Sequence, residues 1–193
     1  IVNNLKKYNV ASVTPVIVTP ETTSIILTSN VKYNENATTK SADTIRSNVI
    51  TTLTNYSATS LQKFEGLFRY SQLIQDIDDT DTSILSNITT IKIRKDLTPT
   101  IDSSVTYNVY FRNALYNPHE GHNTTAGGIL ESTGFKIQGN SDTVYITDTP
   151  NADLKTGVIS VVKKDLETGT NVVVVASAGV VDYIHGEVNL TTI

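Results

Sequence analysis

The chain has 193 residues, a formal net charge of −4, no cysteine and no methionine. The lack of cysteine excludes disulfides, thiolate catalysis and cysteine-bound metals, and the negative charge gives no general attraction to nucleic acid or to an anionic membrane. Only 38% of the residues are hydrophobic and 18% charged, so threonine, serine and asparagine are abundant, as in exposed β-structure and turns. Because the chain begins at Ile1 without a methionine, we expect it to be an internal piece, or a trimmed product, of a longer polypeptide.

The first part of the chain predicts three main strands. A β-branched run at Val13–Val18 is followed by Ser24–Tyr33, where apolar and polar residues alternate as in a half-buried strand. We expect these two strands to form a hairpin. A later strand at Ile88–Lys95 places Ile91 and Ile93 on one side, and Lys92 and Arg94 therefore take the solvent side.

Two helices lie between these strands in the sequence. Apolar residues recur at helical spacing over Ile45–Tyr56, where Ser41 can cap the helix, and again in a shorter helix that Ser71 can cap and that ends around Asp78. A short strand is expected between them, near residues 61–69. The predicted fold class is therefore α+β, and residues 1–98 form a β-β-α-β-α-β domain with two helices on one face of a small mixed sheet.

Beyond Pro99 the pattern changes, and every periodic segment predicts a strand. Residues 99–193 are therefore predicted to form an all-β domain of short antiparallel strands. The segments are Thr106–Arg112, Gly134–Ile137, Thr143–Thr147, Gly157–Lys163, Asn171–Ala176, Val180–Ile184 and Glu187–Leu190. Turns are expected at residues 167–170 and 185–186, and a long polar loop at Asn117–Gly128.

Two clusters of metal-binding residue types have the wrong spacing for known sites. His119 and His122 are too close for the zinc-protease pattern and lie in a glycine-rich loop. The run Asp76–Asp81 lacks the glycine and the glutamate that a calcium loop requires. No phosphate loop, nucleophile elbow or dinucleotide fingerprint is present. The sequence therefore predicts no metal, no cofactor and no enzymatic activity.

Tyrosine is the dominant aromatic residue, with nine in the chain. Tyr110, Arg112 and Tyr116 fall on or beside the predicted outer face of one strand, and Tyr and Arg are enriched in protein interfaces. We predict these three residues as interface candidates. Cross-strand packing within one sheet explains the tyrosines equally well.

The order of the predicted strands and helices, together with a few polar residues, resembles that of a known protein family. The segments that carry the resemblance are Pro15–Val18, Ser24–Tyr33, Ile45–Tyr56, Phe68–Ile77, Ile84–Ile93, Tyr107–Asn113 and Gly179–Leu190. They are similar to the baseplate J-like family of contractile-tailed phages, and in particular to the carboxy-terminal region of the baseplate wedge proteins of T4-like phages.

This resemblance implies a scaffolding role in the virion, with assembly in the host cytoplasm. It implies partners of two kinds: further copies of the chain, as a homodimer or ring, and other baseplate wedge proteins around the hub. No nucleic acid or membrane is expected as a partner. Two other classes remain open, namely a carbohydrate- or cell-surface-binding module, and a hydrolytic enzyme or metalloprotein centred on His119 and His122.

Overall fold

The structure, a computed structural model, describes residues 22–63, 66–100, 103, 105–116 and 128–191. Its elements are β1 (Ser24–Tyr33), α1 (Ala42–Tyr56), α2 (Tyr70–Asp78), β2 (Ile84–Arg94), β3 (Tyr107–Tyr110), β4 (Val144–Pro150), β5 (Thr156–Lys164), β6 (Asn171–Asp182) and β7 (Glu187–Leu190). The predicted α+β class is confirmed. Two compact units divide these elements, one formed by Ser24–Arg94 and one that contains the chain from Lys95 onward. Over the described residues, no helix is long and apolar enough to cross a membrane.

In the first unit, β1 and β2 pair antiparallel, with Ser24 opposite Arg94 and Val31 opposite Asn87. The alternation of β1 turns Leu27 and Val31 toward the helices, because successive side chains of a strand point to opposite faces. There they pack against the buried cluster of Val49, Tyr56, Leu73 and Ile77. The apolar faces predicted for both helices supply that cluster.

The two helices begin in different ways. Ser41 caps α1 as predicted, since its Oγ accepts a hydrogen bond from the Thr44 backbone N–H at 3.3 Å. The predicted cap at Ser71 is wrong, because α2 follows Arg69 and no side chain caps it. The Tyr56 hydroxyl instead accepts the Arg69 backbone N–H at 2.9 Å, which ties the start of α2 to the end of α1.

The short strand expected between the helices is not seen in the described residues of segment 61–69, which leave out residues 64 and 65. The chain instead continues from α1 into a π-helical turn, Ser57–Leu61, where Thr59 Oγ1 donates to the Asn55 carbonyl at 2.8 Å. In the described residues this unit therefore has a two-stranded antiparallel sheet, in place of the predicted mixed sheet. The predicted strand Val13–Val18 lies outside the described residues.

The second unit contains a five-stranded antiparallel sheet in the order β3-β7-β6-β5-β4, as expected for an all-β module. One face carries the core, made of Val144, Ile159, Val161, Ala178, Val181, Tyr183, Val188 and Leu190. The other face carries polar residues and a few exposed apolar ones.

Two predictions of strand extent in this unit are wrong. The segments Asn171–Ala176 and Val180–Ile184 belong to one long strand, β6, which shifts register against β5 between Ile159 and Val162. These bulges let a single strand change its pairing without a turn. Gly134–Ile137 contributes one bridge, from Phe135 to Val144, in place of a strand.

Candidate interaction surfaces

The outer face of the second sheet presents a patch that we call the Tyr110 face, formed by Asn108, Tyr110, Val180, Glu187 and Asn189. Strand register places Tyr110 opposite Glu187, and Asn189 between Asn108 and Val180. Asn189 Nδ2 donates to Asn108 Oδ1 at 2.6 Å. Tyr110 is 38% exposed and Val180 56% exposed. Aromatic side chains such as that of Tyr110 are enriched in protein interfaces.

Tyr110 itself lies on the solvent side of β3, as the alternation predicts. Its neighbours Tyr107, Val109 and Phe111 pack against the core of the second unit. The register of this strand is therefore set by three inward apolar side chains, and a shift by one residue would expose all of them.

Arg112 does not lie on the strand, because β3 ends at Tyr110. Its backbone has a φ of 58°, a left-handed conformation that a residue with a side chain seldom adopts. The chain turns there to cross the β6–β7 turn, where Phe111 N–H donates to the Gly186 carbonyl at 2.8 Å. A side chain at Gly186 would overlap the Asn113 carbonyl. Close packing of these two backbones explains why strand pairing stops before Arg112.

Tyr116 follows the same crossing segment and is 63% exposed. The preceding residue is anchored, since Leu115 N–H donates to the Tyr183 carbonyl at 2.8 Å. Of the three predicted interface residues, the structure thus places one on the sheet face and two on the segment that follows it.

An ion pair adjoins the Tyr110 face at the β6–β7 turn. His185 Nδ1 donates to Asp182 Oδ2 at 2.8 Å, and Asp182 is the register partner of Glu187. The hydrogen bond to Asp182 raises the pKa of His185, and the same bond lowers the pKa of Asp182. The charge of this edge therefore depends on whether the imidazole is protonated.

The second unit contains a buried hydrogen-bonded pair, Tyr183 and Asp148, which the sequence analysis did not predict. Tyr183 donates its hydroxyl to Asp148 Oδ2 at 2.5 Å, and both residues are completely buried. Leu130 N–H donates to the other carboxylate oxygen at 2.7 Å. Burial, together with the hydrogen bond to Asp148, raises the pKa of Tyr183 far above its usual range. The pair has no access to solvent, so its role is structural.

Two aspartates of the acidic run in the first unit, Asp78 and Asp81, accept hydrogen bonds from nearby side chains. Asp81 Oδ1 accepts from the Ser83 hydroxyl at 2.7 Å, and its Oδ2 accepts from Lys40 Nζ at 2.5 Å. The bond from Lys40 is the main reason that the pKa of Asp81 lies well below its usual range. Asp78 accepts from the Asn87 amide at 2.7 Å. Within the described residues no three metal-binding side chains are grouped, and His119 and His122 lie outside those residues.

The first unit of the chain matches a known family of structural proteins. Residues 22–96 match a family model described as the baseplate structural protein gp6, C-terminal domain III. The matched segment coincides with the β1-α1-α2-β2 unit. The chain is therefore similar to a structural protein of the phage tail baseplate.

One relative found among known proteins is the baseplate wedge protein gp6 of Enterobacteria phage T4. It is 27% identical over 109 residues, which cover 55% of this chain and 16% of the T4 protein. The resemblance inferred from the order of strands and helices is thereby confirmed. The chain corresponds to only a small part of that protein's length.

Proposed function

We propose that the chain is a structural, non-enzymatic subunit of a phage tail baseplate, which self-associates and contacts other baseplate proteins to build the wedge around the hub. The observation that carries this proposal is the match of residues 22–96 to a baseplate domain. Its place is the virion tail, after assembly in the host cytoplasm.

Self-association is supported by the surface of the second unit. Tyr110 and Val180 are exposed apolar side chains on one sheet face, and the amides of Asn108 and Asn189 are already hydrogen-bonded to each other. Burial of such a face removes apolar area from water, and the hydrogen bond between the two amides satisfies one donor group and one acceptor. A stable contact needs about 1,200–2,000 Å² in total, so Arg112 and Tyr116, on the adjoining segment, are proposed to widen it.

Sedimentation velocity over a concentration series tests this proposal. The wild-type chain is expected to associate, most simply as a two-fold dimer in which each change is felt twice. Tyr110→Ala should weaken dimerisation by about 2 kcal/mol, roughly thirtyfold in dissociation constant.

Ile88→Ala serves as the control, because Ile88 is an exposed apolar residue of the other unit. It should leave the dissociation constant unchanged. A wild-type monomer at every concentration would reject self-association of this chain. A dimer that tolerates Tyr110→Ala would reject the choice of the Tyr110 face alone.

A further inference from the structure

Two charged residues of opposite sign lie beside Tyr110 on the surface of the second unit. Glu187 is directly opposite Tyr110 on the neighbouring strand β7, where facing side chains have Cβ atoms about 4.5–5.5 Å apart. Arg112 follows Tyr110 by two residues along the chain, a span of at most about 7 Å. All three residues are exposed, so one continuous patch offers a cation, an anion and an aromatic ring.

Neither charge has an ion-pair partner within the described part of the chain. The ion pairs formed there involve other residues, namely Lys40–Asp81, Lys163–Asp142, Lys164–Glu131 and His185–Asp182. Asp182, the register partner of Glu187 on β6, is held by His185 at 2.8 Å. Glu187 is therefore the carboxylate of this patch that remains for a cation of another molecule.

The arginine at residue 112 is not dictated by the turn that holds it. Arg112 has a φ of 58°, in the left-handed region that glycine enters without steric cost and other residues seldom occupy. Backbone atoms shape this turn, since Phe111 N–H donates to the Gly186 carbonyl at 2.8 Å. Residues in sparsely populated conformations concentrate at functional sites, which points to a role for the arginine side chain itself.

We propose that two copies of the chain meet on the Tyr110 face about a two-fold axis, with Arg112 of each copy paired to Glu187 of the other. A two-fold axis uses the same patch twice, so each cation meets a carboxylate and each carboxylate meets a cation. A guanidinium can hold a carboxylate through two parallel hydrogen bonds, which fixes the orientation of the partner. This inference rests on the self-association proposed above and assigns the contacts that orient it.

A charge exchange tests the pairing. Arg112→Glu and Glu187→Arg, each alone, bring like charges together twice in a two-fold pair, so each should weaken association at least about tenfold. An equimolar mixture of the two variants should form a mixed pair as stable as the wild-type pair, because both contacts then join opposite charges. Native mass spectrometry separates the mixed pair from either homodimer, and sedimentation velocity gives the dissociation constants.

Arg112→Gly separates association from folding. Glycine adopts the left-handed conformation without strain, so the melting temperature should be retained, whereas association should weaken because the guanidinium is lost. Arg46→Glu and Glu35→Arg are the matched controls, since both residues are exposed on the first unit. Each control should associate as the wild type does.

The outcomes distinguish this contact from self-association as such. Charge-reversed variants that associate like the wild type, or a mixture that forms no mixed pair, would overturn the pairing of Arg112 with Glu187 while self-association stands. A wild-type chain that is monomeric at every concentration would overturn both proposals.

Discussion

Two buried residues of the second unit, Gly157 and Tyr183, are expected to be sensitive to substitution. Gly157 lies on β5 against the buried Tyr183 hydroxyl, and a Cβ there would overlap that hydroxyl and approach the Thr149 carbonyl oxygen at 2.9 Å. Gly157→Ala should therefore destabilise the protein by about 1–3 kcal/mol, as overpacking does. Tyr183→Phe should cost about 1–3 kcal/mol, because Asp148 loses a buried donor.

The double variant separates these two causes. Removal of the hydroxyl relieves part of the overlap, so Gly157→Ala combined with Tyr183→Phe should cost less than the sum of the single changes, by about 0.5–3 kcal/mol. Urea unfolding of the four proteins measures this coupling. Strict additivity would show that the hydroxyl does not limit the space at residue 157.

The Lys40–Asp81 pair makes a prediction for acid. The pKa of Asp81 is lower in the folded protein than its usual value of 3.8, so the stabilisation is complete above that value and is lost as the pH falls through the folded pKa. Asp81→Asn removes this linkage. The difference in melting temperature between wild type and variant should be largest near neutral pH and should shrink as the pH falls below about 4.

The difference in melting temperature between Lys40→Gln and the wild type should also shrink as the pH falls, because the hydrogen bond from Lys40 is the main cause of the lowered pKa of Asp81. Differential scanning calorimetry from neutral to acidic pH measures both differences. A difference that stays constant over that range would show that the pair contributes no proton linkage.

At the scale of elements, the two helix starts provide a matched comparison. Ser41→Ala should cost about 1 kcal/mol, because α1 loses the acceptor for the Thr44 N–H. Ser71→Ala should change stability by less than about 0.5 kcal/mol, since Ser71 lies exposed inside α2. Thermal unfolding monitored by circular dichroism compares the two. Equal costs would contradict the assignment of the caps.

The buried face of α2 should dominate the stability of the first unit. Ile77 is completely buried in the cluster with Leu73, and Ile77→Ala should cost about 2–5 kcal/mol through lost contacts and a cavity. Gln75→Ala, on the exposed side of the same helix, is the control and should cost little. Chemical denaturation measures both, and a small effect of Ile77→Ala would place the core elsewhere.

Much of this element structure follows from local patterns. Strand β1 and helix α1 could be predicted because alternation at Ser24–Tyr33 and helical spacing at Ile45–Tyr56 report directly on which side chains are buried. The Ser71 cap was mispredicted because a distant contact, from Tyr56 to Arg69, decides where α2 starts. Likewise, the bulges of β6 depend on its pairing with β5, which no local pattern encodes.

The candidate surfaces were predictable to a similar extent. Alternation correctly put Tyr110 on the outer side of its strand, but the left-handed turn at Arg112 depends on the packing of Gly186 against Asn113. The burial of Asp148 could be predicted from the sequence, because Asp148 lies an even number of residues after Val144 on the same strand and therefore on the same, inward face.

At the scale of the whole molecule, we expect a protease-sensitive link between the two units. Contacts divide the described chain between Arg94 and Lys95, and Pro99 lacks the backbone N–H that a residue in a paired strand would donate. Limited proteolysis with a broad-specificity protease should cut first near residues 98–104 or within 117–128. Mass spectrometry of the early fragments identifies the sites, and early cleavage inside α1 would contradict two separately folded parts.

The central claim is that this chain is a structural part of a phage tail baseplate. It is tested most directly by quantitative mass spectrometry of purified virions and isolated baseplates from the phage that encodes it. The account predicts that peptides of this chain stay with the baseplate fraction, at a copy number matching the other wedge proteins. Their absence from purified virions, with the chain found only in infected-cell extracts, would contradict it.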